Sequence, residues 1–360
     1  MNLNISQILE EELVMAKATS RPEDSVFLIN EKGQFCNANS DVYINFCDTN
    51  FLGINTQKYD EIYSTKKVFN TFSSGVLAQQ KFFEKQLIDF LHVKDTAIFP
   101  SYNGISADIL ENILNTEDAI IYDENINPAL IRGVRICKAD KIRYHHNDMD
   151  KLEEALKMTQ MRRLRIIVTD GIFYDLGDCA NLSAIKKLAE HYNALVLLDD
   201  SFGFLTCGKN GHGSDELCGV KNFADIKLIN MQNSLCLSNG AIVCGDSIII
   251  ELLKRRSKVL KFSNSLSERD FALASDIISQ ISINNLPIEI LHQKTNRLCE
   301  ILKQMNFEPK TPCAGIVSFT SEKSIDSLKR VFKEKKWICE YIKRGNLTLV
   351  SLKVSAISTF

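Results

Sequence analysis

Side chains able to do chemistry recur at one kind of place in this sequence, at and just past the ends of apolar runs. Ser101, Tyr102, Asn103 and Gly104 follow TAIFP, and Asp123 to Asn127 lie at and beyond the end of AIIYD. Asp170 and Gly171 stand at the end of LRIIVTD, Asp199, Asp200 and Ser201 at the end of ALVLLDD, and Gln232 to Leu235 after DIKLINM. A carboxylate such as Asp199 can face a bound ligand or cap the turn that follows its strand, and both readings stand open. No GxGxxG, Walker loop, GxSxG or HExxH occurs, so nucleotide binding, triad catalysis and zinc proteolysis lack their motifs. His145 and His146, read as neighbours on a strand, point to opposite faces and cannot chelate one metal together. Eleven cysteines without a CxxC spacing read as free thiols, and no metal site is expected.

The elements that must position these residues follow from the runs themselves. Between about residues 95 and 245, continuous Ile/Val/Leu segments alternate with helical periods: TAIFP, AIIYD, KIRYH, LRIIVTD, ALVLLDD, DIKLINM and GAIVCG. Strands of that kind are buried on both faces, and their alternation with helices predicts a three-layer α/β domain in parallel order with right-handed crossovers. In such sheets ligands bind outside the carboxyl ends of the strands, where the residues above collect. Asp148 is placed to cap the helix DMDKLEEALKM. After Ser265 the pattern changes to a long helix (267 to 282), a Pro287-opened helix, and then strand, helix, strand. The expected organisation is an N-terminal arm (1–44) with an amphipathic helix, a large domain (45–285) and a small α+β domain (286–360).

Composition narrows the partners. With 43 Lys+Arg against 45 Asp+Glu the net charge is 43 − 45 = −2, which leaves no electrostatic footprint for nucleic acid. The longest apolar stretch, Gly240 to Leu253, is interrupted by Asp246 and Glu251 and falls short of the roughly 20 residues of a membrane span. Membrane contact is therefore expected to be peripheral or through a partner. The basic segment ELLKRRSKVLKF (251 to 262) suits acyl-CoA phosphates, an anionic membrane surface or a solvated helix face.

Four segments, in order, carry a resemblance: SYNGISADIL to SGY-x-AN, HHNDMDKLEEAL to HND-x-x-x-LE-x-L, TDGIFYDLGDCANL to EG-x-FSMDGD-x-APL, and LLDDSFGFLTCGKNGHG to DEAHS-x-G-x-x-G-x-x-GRG. These are motifs of the α-oxoamine synthases, fold-type I pyridoxal phosphate enzymes that join an amino acid to an acyl-CoA with decarboxylation. The resemblance runs from about Asn45 to Phe360 and implies the fold-type I architecture, a mainly parallel three-layer large domain with a small, here shortened, α+β domain. By that resemblance Asp199 stands at the pyridinium-pairing carboxylate. Ser263, in KFSNSLS, stands where a hydroxyl reaches across the dimer to the partner's cofactor phosphate. A capping role for the helix near Ser267 is the structural alternative for Ser263.

The departures are as informative. The Schiff-base lysine of the family is replaced by Asn233 in INMQNSLCLSNGAIVCG, the ring-stacking histidine by Asn127, the histidine of DEAH by Phe202 and a glutamate by Asp170. An amide cannot form the imine that this chemistry needs. Lys227 reads as a solvated lysine at the start of its strand, and Lys209 as a loop lysine, solvated or anion-binding. This pattern of losses resembles one branch of the family, the non-lysine first subunits of serine palmitoyltransferase, of long-chain base 1 type. That resemblance implies a heterodimer in which a lysine-bearing second subunit holds pyridoxal phosphate, with L-serine and acyl-CoA at a shared site. It implies condensation to 3-oxosphinganine at the cytosolic face of the endoplasmic reticulum, although the hydrophobic N-terminal helix usual in the branch is not seen in these residues. A homodimeric synthase using another lysine, as a glycine or alanine acyltransferase, and a non-enzymatic scaffold of the same fold are the alternatives.

Overall fold

The computed structural model describes residues 41–56, 59, 70, 75–220 and 223–358, with short segments at 9–10, 12–14, 28–29 and 35–36. In chain order its elements begin with β1 (Leu28–Ile29), β2 (Phe35–Cys36), β3 (Val42–Asn45), α1 (Ala78–Leu91), β4 (Asp95–Phe99), α2 (Tyr102–Ile113), β5 (Ala119–Asp123) and α3 (Pro128–Ile136). They continue with β6 (Asp140–Tyr144), α4 (Met149–Met158), β7 (Arg165–Asp170), α5 (Leu182–Tyr192), β8 (Leu195–Asp199), α6 (Ser214–Leu217), β9 (Ile226–Asn230) and β10 (Ala241–Gly245). Then follow α7 (Ser247–Arg256), α8 (Lys258–Phe262), α9 (Glu268–Ile283), α10 (Leu286–Gln304), β11 (Ile316–Ser321), α11 (Ile325–Glu334), β12 (Trp337–Ile338), β13 (Glu340–Arg344) and β14 (Leu347–Lys353). Of the expected N-terminal helix, residues 9–10 and 12–14 are helical and the remainder lies outside the described residues.

The chain divides into two compact units, one of residues 1–45 and 326–338, the other of 46–325 and 339–360. The expected boundary near residue 286 falls between α9 and α10, inside the larger unit. In the smaller unit β1, β2 and β3 pair antiparallel and β12 joins β3 in parallel. Stacked rings of Phe332 and Trp337, 5.8 Å between centroids, support that edge.

The larger unit is built on a seven-stranded sheet in the order β4-β10-β9-β8-β7-β5-β6. Residues alternate between its two faces. Phe99, Ile120, Val168, Leu197, Leu228 and Val243 pack with α2, α3 and α7, whereas Ile98, Ile121, Ile167, Leu198, Ile229 and Ile242 pack under α1, α9, α4 and α5. These six strands are thus buried on both sides, which is why they read as apolar runs, whereas the edge strand β6 (DKIRY) buries only Tyr144 fully. One strand departs from the expected parallel order: β10 runs antiparallel to both β9 and β4, in the register Ala241↔Phe99 and Ala241↔Asn230. The loop 231–240 returns the chain directly beside β9 without a crossover helix, so the reversed direction is the geometric result. A second sheet, β11-β14-β13, is antiparallel throughout.

Helix ends are set by local chemistry. Asp148 accepts from the Lys151 N–H and caps α4 as expected, and Asn127 Oδ1 accepts from the Ala129 N–H at the start of α3. The basic segment is not one helix face. Ser257 ends α7, caps α8 and bonds the Asp108 carboxylate, while Lys254 pairs with Asp95, Arg255 with Glu251 and Lys258 with Glu111. Arg256 donates to the Asn112 carbonyl. Among the described residues no helix is long and apolar enough to cross a membrane.

Candidate functional site

The strand ends bring the sequence-selected residues together as expected. Asp170 and Asp199 are register partners at the ends of the adjacent parallel strands β7 and β8. Both are buried, at 1% and 2% exposure. Burial, reinforced by the charge of Asp199, pushes the Asp170 carboxyl well above the usual range. One Asp170 oxygen accepts from the Asn127 N–H at 3.2 Å, and the other is buried without a hydrogen-bond partner. Asp199 is fully engaged. Burial raises its pKa, and the Ser201 and Tyr102 hydroxyls oppose that rise by donating to its two oxygens. The Ser201 N–H adds a third bond at 3.0 Å. Tyr102, the first residue of α2, is 3% exposed and sends its side chain to a carboxylate 97 residues away.

Asn233 lies in the loop between β9 and β10, 4% exposed, and its Nδ2 donates to the Ser201 carbonyl at 2.8 Å. Ser201 Oγ accepts from the Asn230 N–H at 2.8 Å, so the turn after β8 is bonded both to the end of β9 and to the loop that follows it. Phe202 is 9% exposed and meets Phe51 edge-on, 6.2 Å between centroids. Ser263 ends α8, and its carbonyl accepts from Asn70 Nδ2 at 3.3 Å. The cap of the following helix α9 is Ser267, in a reciprocal capping box with Asp270, so Ser263 does not cap it.

Two readings of basic residues are corrected. Lys227 is not solvated: its side chain is 6% exposed, and Nζ lies 2.7 Å from Asp215, 3.4 Å from Asp200 and 3.2 Å from the His212 carbonyl. Burial disfavours the ammonium, but the two carboxylates outweigh it and raise its pKa above the ordinary lysine value. On Asp200, burial raises the carboxyl, Lys227 draws it down and Asp215 pushes it up, leaving it at about 6. Gly213 (φ 113°) is required beside this cluster, because a Cβ there would sit 1.8 Å from Asp200 Oδ2. His145 and His146 lie past the end of β6 rather than on the strand. His146 bridges Asp123 (3.1 Å from Nδ1) and Asp178 (3.2 Å from Nε2). Burial works against its cation, yet the hydrogen bonds to both carboxylates win and lift it to about 9. Lys209 is exposed. Among the described residues no cluster of His, Cys, Asp and Glu could hold a metal ion.

The residues at the positions that the resemblance assigns to the cofactor do not fit pyridoxal phosphate. There is no amine at 233, the Asp199 carboxylate is taken by Tyr102 and Ser201, and Asn127 is committed to α3 and Asp170. Sequence reasoning gave no role to Tyr102. The signal was there, since Tyr102 stands where the SGY segment has glycine. It also missed a cavity of about 350 Å³ past β5 and β7, lined in part by Arg132, Arg135, Tyr174, Asp175 and Arg344.

Comparison with known proteins places this geometry. Residues 58–342 match the family model described as aminotransferase class I and II. The chain is 32% identical over 305 residues to the mitochondrial 2-amino-3-ketobutyrate coenzyme A ligase of Mus musculus, covering 80% of this chain and 73% of that protein. It is 27% identical over 332 residues to the 8-amino-7-oxononanoate synthase of Petrotoga mobilis, covering 87% and 84%. Among solved structures, a serine palmitoyltransferase from S. paucimobilis superposes with a TM-score of 0.84 at 18% identity, covering 99% of this chain and 93% of that one. That last likeness establishes the fold-type I architecture.

Proposed function

Because the chain belongs to the class I and II aminotransferases, in the pyridoxal phosphate-dependent α-oxoamine synthase group, we propose that it is the non-lysine subunit of a serine C-palmitoyltransferase. Asn233 is the observation that carries this reading: a buried amide, bonded to the Ser201 carbonyl, stands where the resemblance expects the essential amine. Lys227 cannot substitute, since its ammonium is held between Asp200 and Asp215. On this reading the chain acts by completing the site of a partner that has the amine.

In this reading the lysine-bearing partner holds pyridoxal phosphate and condenses L-serine with palmitoyl-CoA to 3-oxosphinganine, CoA and carbon dioxide. This chain contributes one wall of the shared site, excludes water from it and stabilises the partner through the buried interface. Ser263 is the residue proposed to reach the partner's cofactor phosphate. Membrane contact is peripheral or through the partner, at the cytosolic face of the endoplasmic reticulum. The sequence relatives that are 2-amino-3-ketobutyrate coenzyme A ligases favour a second reading, a homodimeric synthase acting on glycine or alanine, but that reading requires a free lysine at the site.

Co-expression with a lysine-bearing subunit tests the proposal. Turnover of serine and palmitoyl-CoA that requires this chain, and borohydride-trapped cofactor on the partner alone, are expected. Turnover by the partner without this chain would end the reading.

A further inference from the structure

Asp199 meets two kinds of donor. Ser201 supplies its hydroxyl and its N–H to Oδ1, and Tyr102 supplies its hydroxyl to Oδ2. The Tyr102 donor is the tip of a planar six-membered ring arriving from the interior, 3% exposed. A protonated pyridine would reach the same carboxylate in the same manner, with a ring atom's N–H pointing at the oxygen and the ring behind it. Protein interiors are packed as densely as organic crystals, so two rings cannot share that approach. The surrounding positions are closed from within as well. Asn233 is bonded to the Ser201 carbonyl, Ser201 Oγ accepts from the Asn230 N–H, and Asn127 is spent on the Ala129 N–H and on Asp170.

We propose that Tyr102 is an internal plug, its phenol ring standing in the place of the cofactor ring and sealing this chain's own pocket, so that restoring a lysine at position 233 does not by itself restore pyridoxal phosphate binding. The inference goes beyond the subunit reading and does not depend on it, because it concerns what this pocket admits, whichever protein the chain works with. It also settles the two roles open for Asp199. The carboxylate is neither a free cofactor contact nor a simple turn cap; it anchors the plug.

The test uses the full chain in four forms: wild type, Asn233→Lys, Tyr102→Ala with Asn233→Lys, and Tyr102→Phe with Asn233→Lys. Each is incubated with pyridoxal phosphate and reduced with borohydride. The lysine amine condenses with the aldehyde with loss of water, and hydride converts the imine to a stable secondary amine. The peptide containing position 233 is then analysed by mass for the phosphopyridoxyl group. The Tyr102→Ala double variant is expected to carry about tenfold or more label at 233 than Asn233→Lys alone, the scale of relieving one overpacking side chain. The Tyr102→Phe double variant, which keeps the ring and loses only the hydroxyl, is expected to stay unlabelled. Full labelling of Asn233→Lys alone, or of the Tyr102→Phe double variant, overturns the proposal. Should the Tyr102→Ala double variant fail to fold, Tyr102→Ala alone is melted with and without 4-methylphenol. A rise in Tm absent from wild type supports the plug, and no rise overturns it.

Discussion

Replacing Lys227 by methionine keeps the length and apolar stem of the side chain and removes only its charge. The ammonium is within 2.7 Å of Asp215 and 3.4 Å of Asp200, whose side chains are 3% and 0% exposed. Removing one partner of a buried ion pair strands the other charge in low dielectric and costs about 3–5 kcal/mol, a large share of the 5–15 kcal/mol that holds a typical protein folded. The loss has a predictable pH dependence. Asp200 sits at about 6 even with the ammonium present, because burial raises it more than Lys227 lowers it. Without Lys227 it moves higher, so near neutral pH the folded state binds a proton that the unfolded state does not. Stability then falls as pH rises, by about 1.4 kcal/mol per unit for one proton. Urea unfolding followed by circular dichroism from pH 5 to pH 8 should therefore show a Lys227→Met deficit that widens with pH. The triple variant Lys227→Met, Asp200→Asn, Asp215→Asn should recover most of it, since a neutralised interior leaves no stranded charge. A deficit under about 1 kcal/mol, or one that does not change with pH, would refute the reasoning by showing the group to behave as a screened surface pair.

His146 should titrate near 9, and its folded pKa is raised above the ordinary 6.5. Its contribution to stability is then complete below about pH 6.5 and lost as pH rises toward 9, a trend that His146→Asn should flatten in urea melts. A ring titrating below 7 by NMR would contradict the Asp123–His146–Asp178 bridge. Ser267→Ala removes the hydroxyl that accepts from the Asp270 N–H, leaving the backbone half of the α9 capping box, and should cost about 1 kcal/mol in thermal or urea unfolding; an unchanged midpoint would show that hydroxyl to be idle.

Strands buried on both faces announce themselves as apolar runs, so β4, β5 and β7 to β10 are readable within a residue or two of their observed ends, and the half-exposed edge strand β6 falls within one residue of KIRYH. Direction is not encoded in such a run, and β10 reads the same either way; its reversal is decided by the loop 231–240 that precedes it. The reading of Asn233 rests on the resemblance, which expects an amine at that position. Lys227 was not legible, because its burial is repaid by Asp200 and Asp215 on other segments, and only the folded chain assembles them. Tyr102 was visible as a candidate, standing where the SGY segment has glycine, but its role was not, because the carboxylate at its hydroxyl comes from 97 residues onward.

The pairing of β4 with β10 also bears on how the chain comes into being. At its edge of the sheet β4 is hydrogen-bonded to β10 alone among the described strands. It ends at Phe99 and its neighbour begins at Ala241, so 241 − 99 = 142 positions separate them. At synthesis rates of about 5–20 residues per second, that interval lasts about 7–30 seconds. Throughout it, an apolar segment waits with an open edge, the arrangement most prone to stray pairing with other chains. The interval between the synthesis of these two strands is therefore a window of exposure that the finished core, however stable, does not shorten.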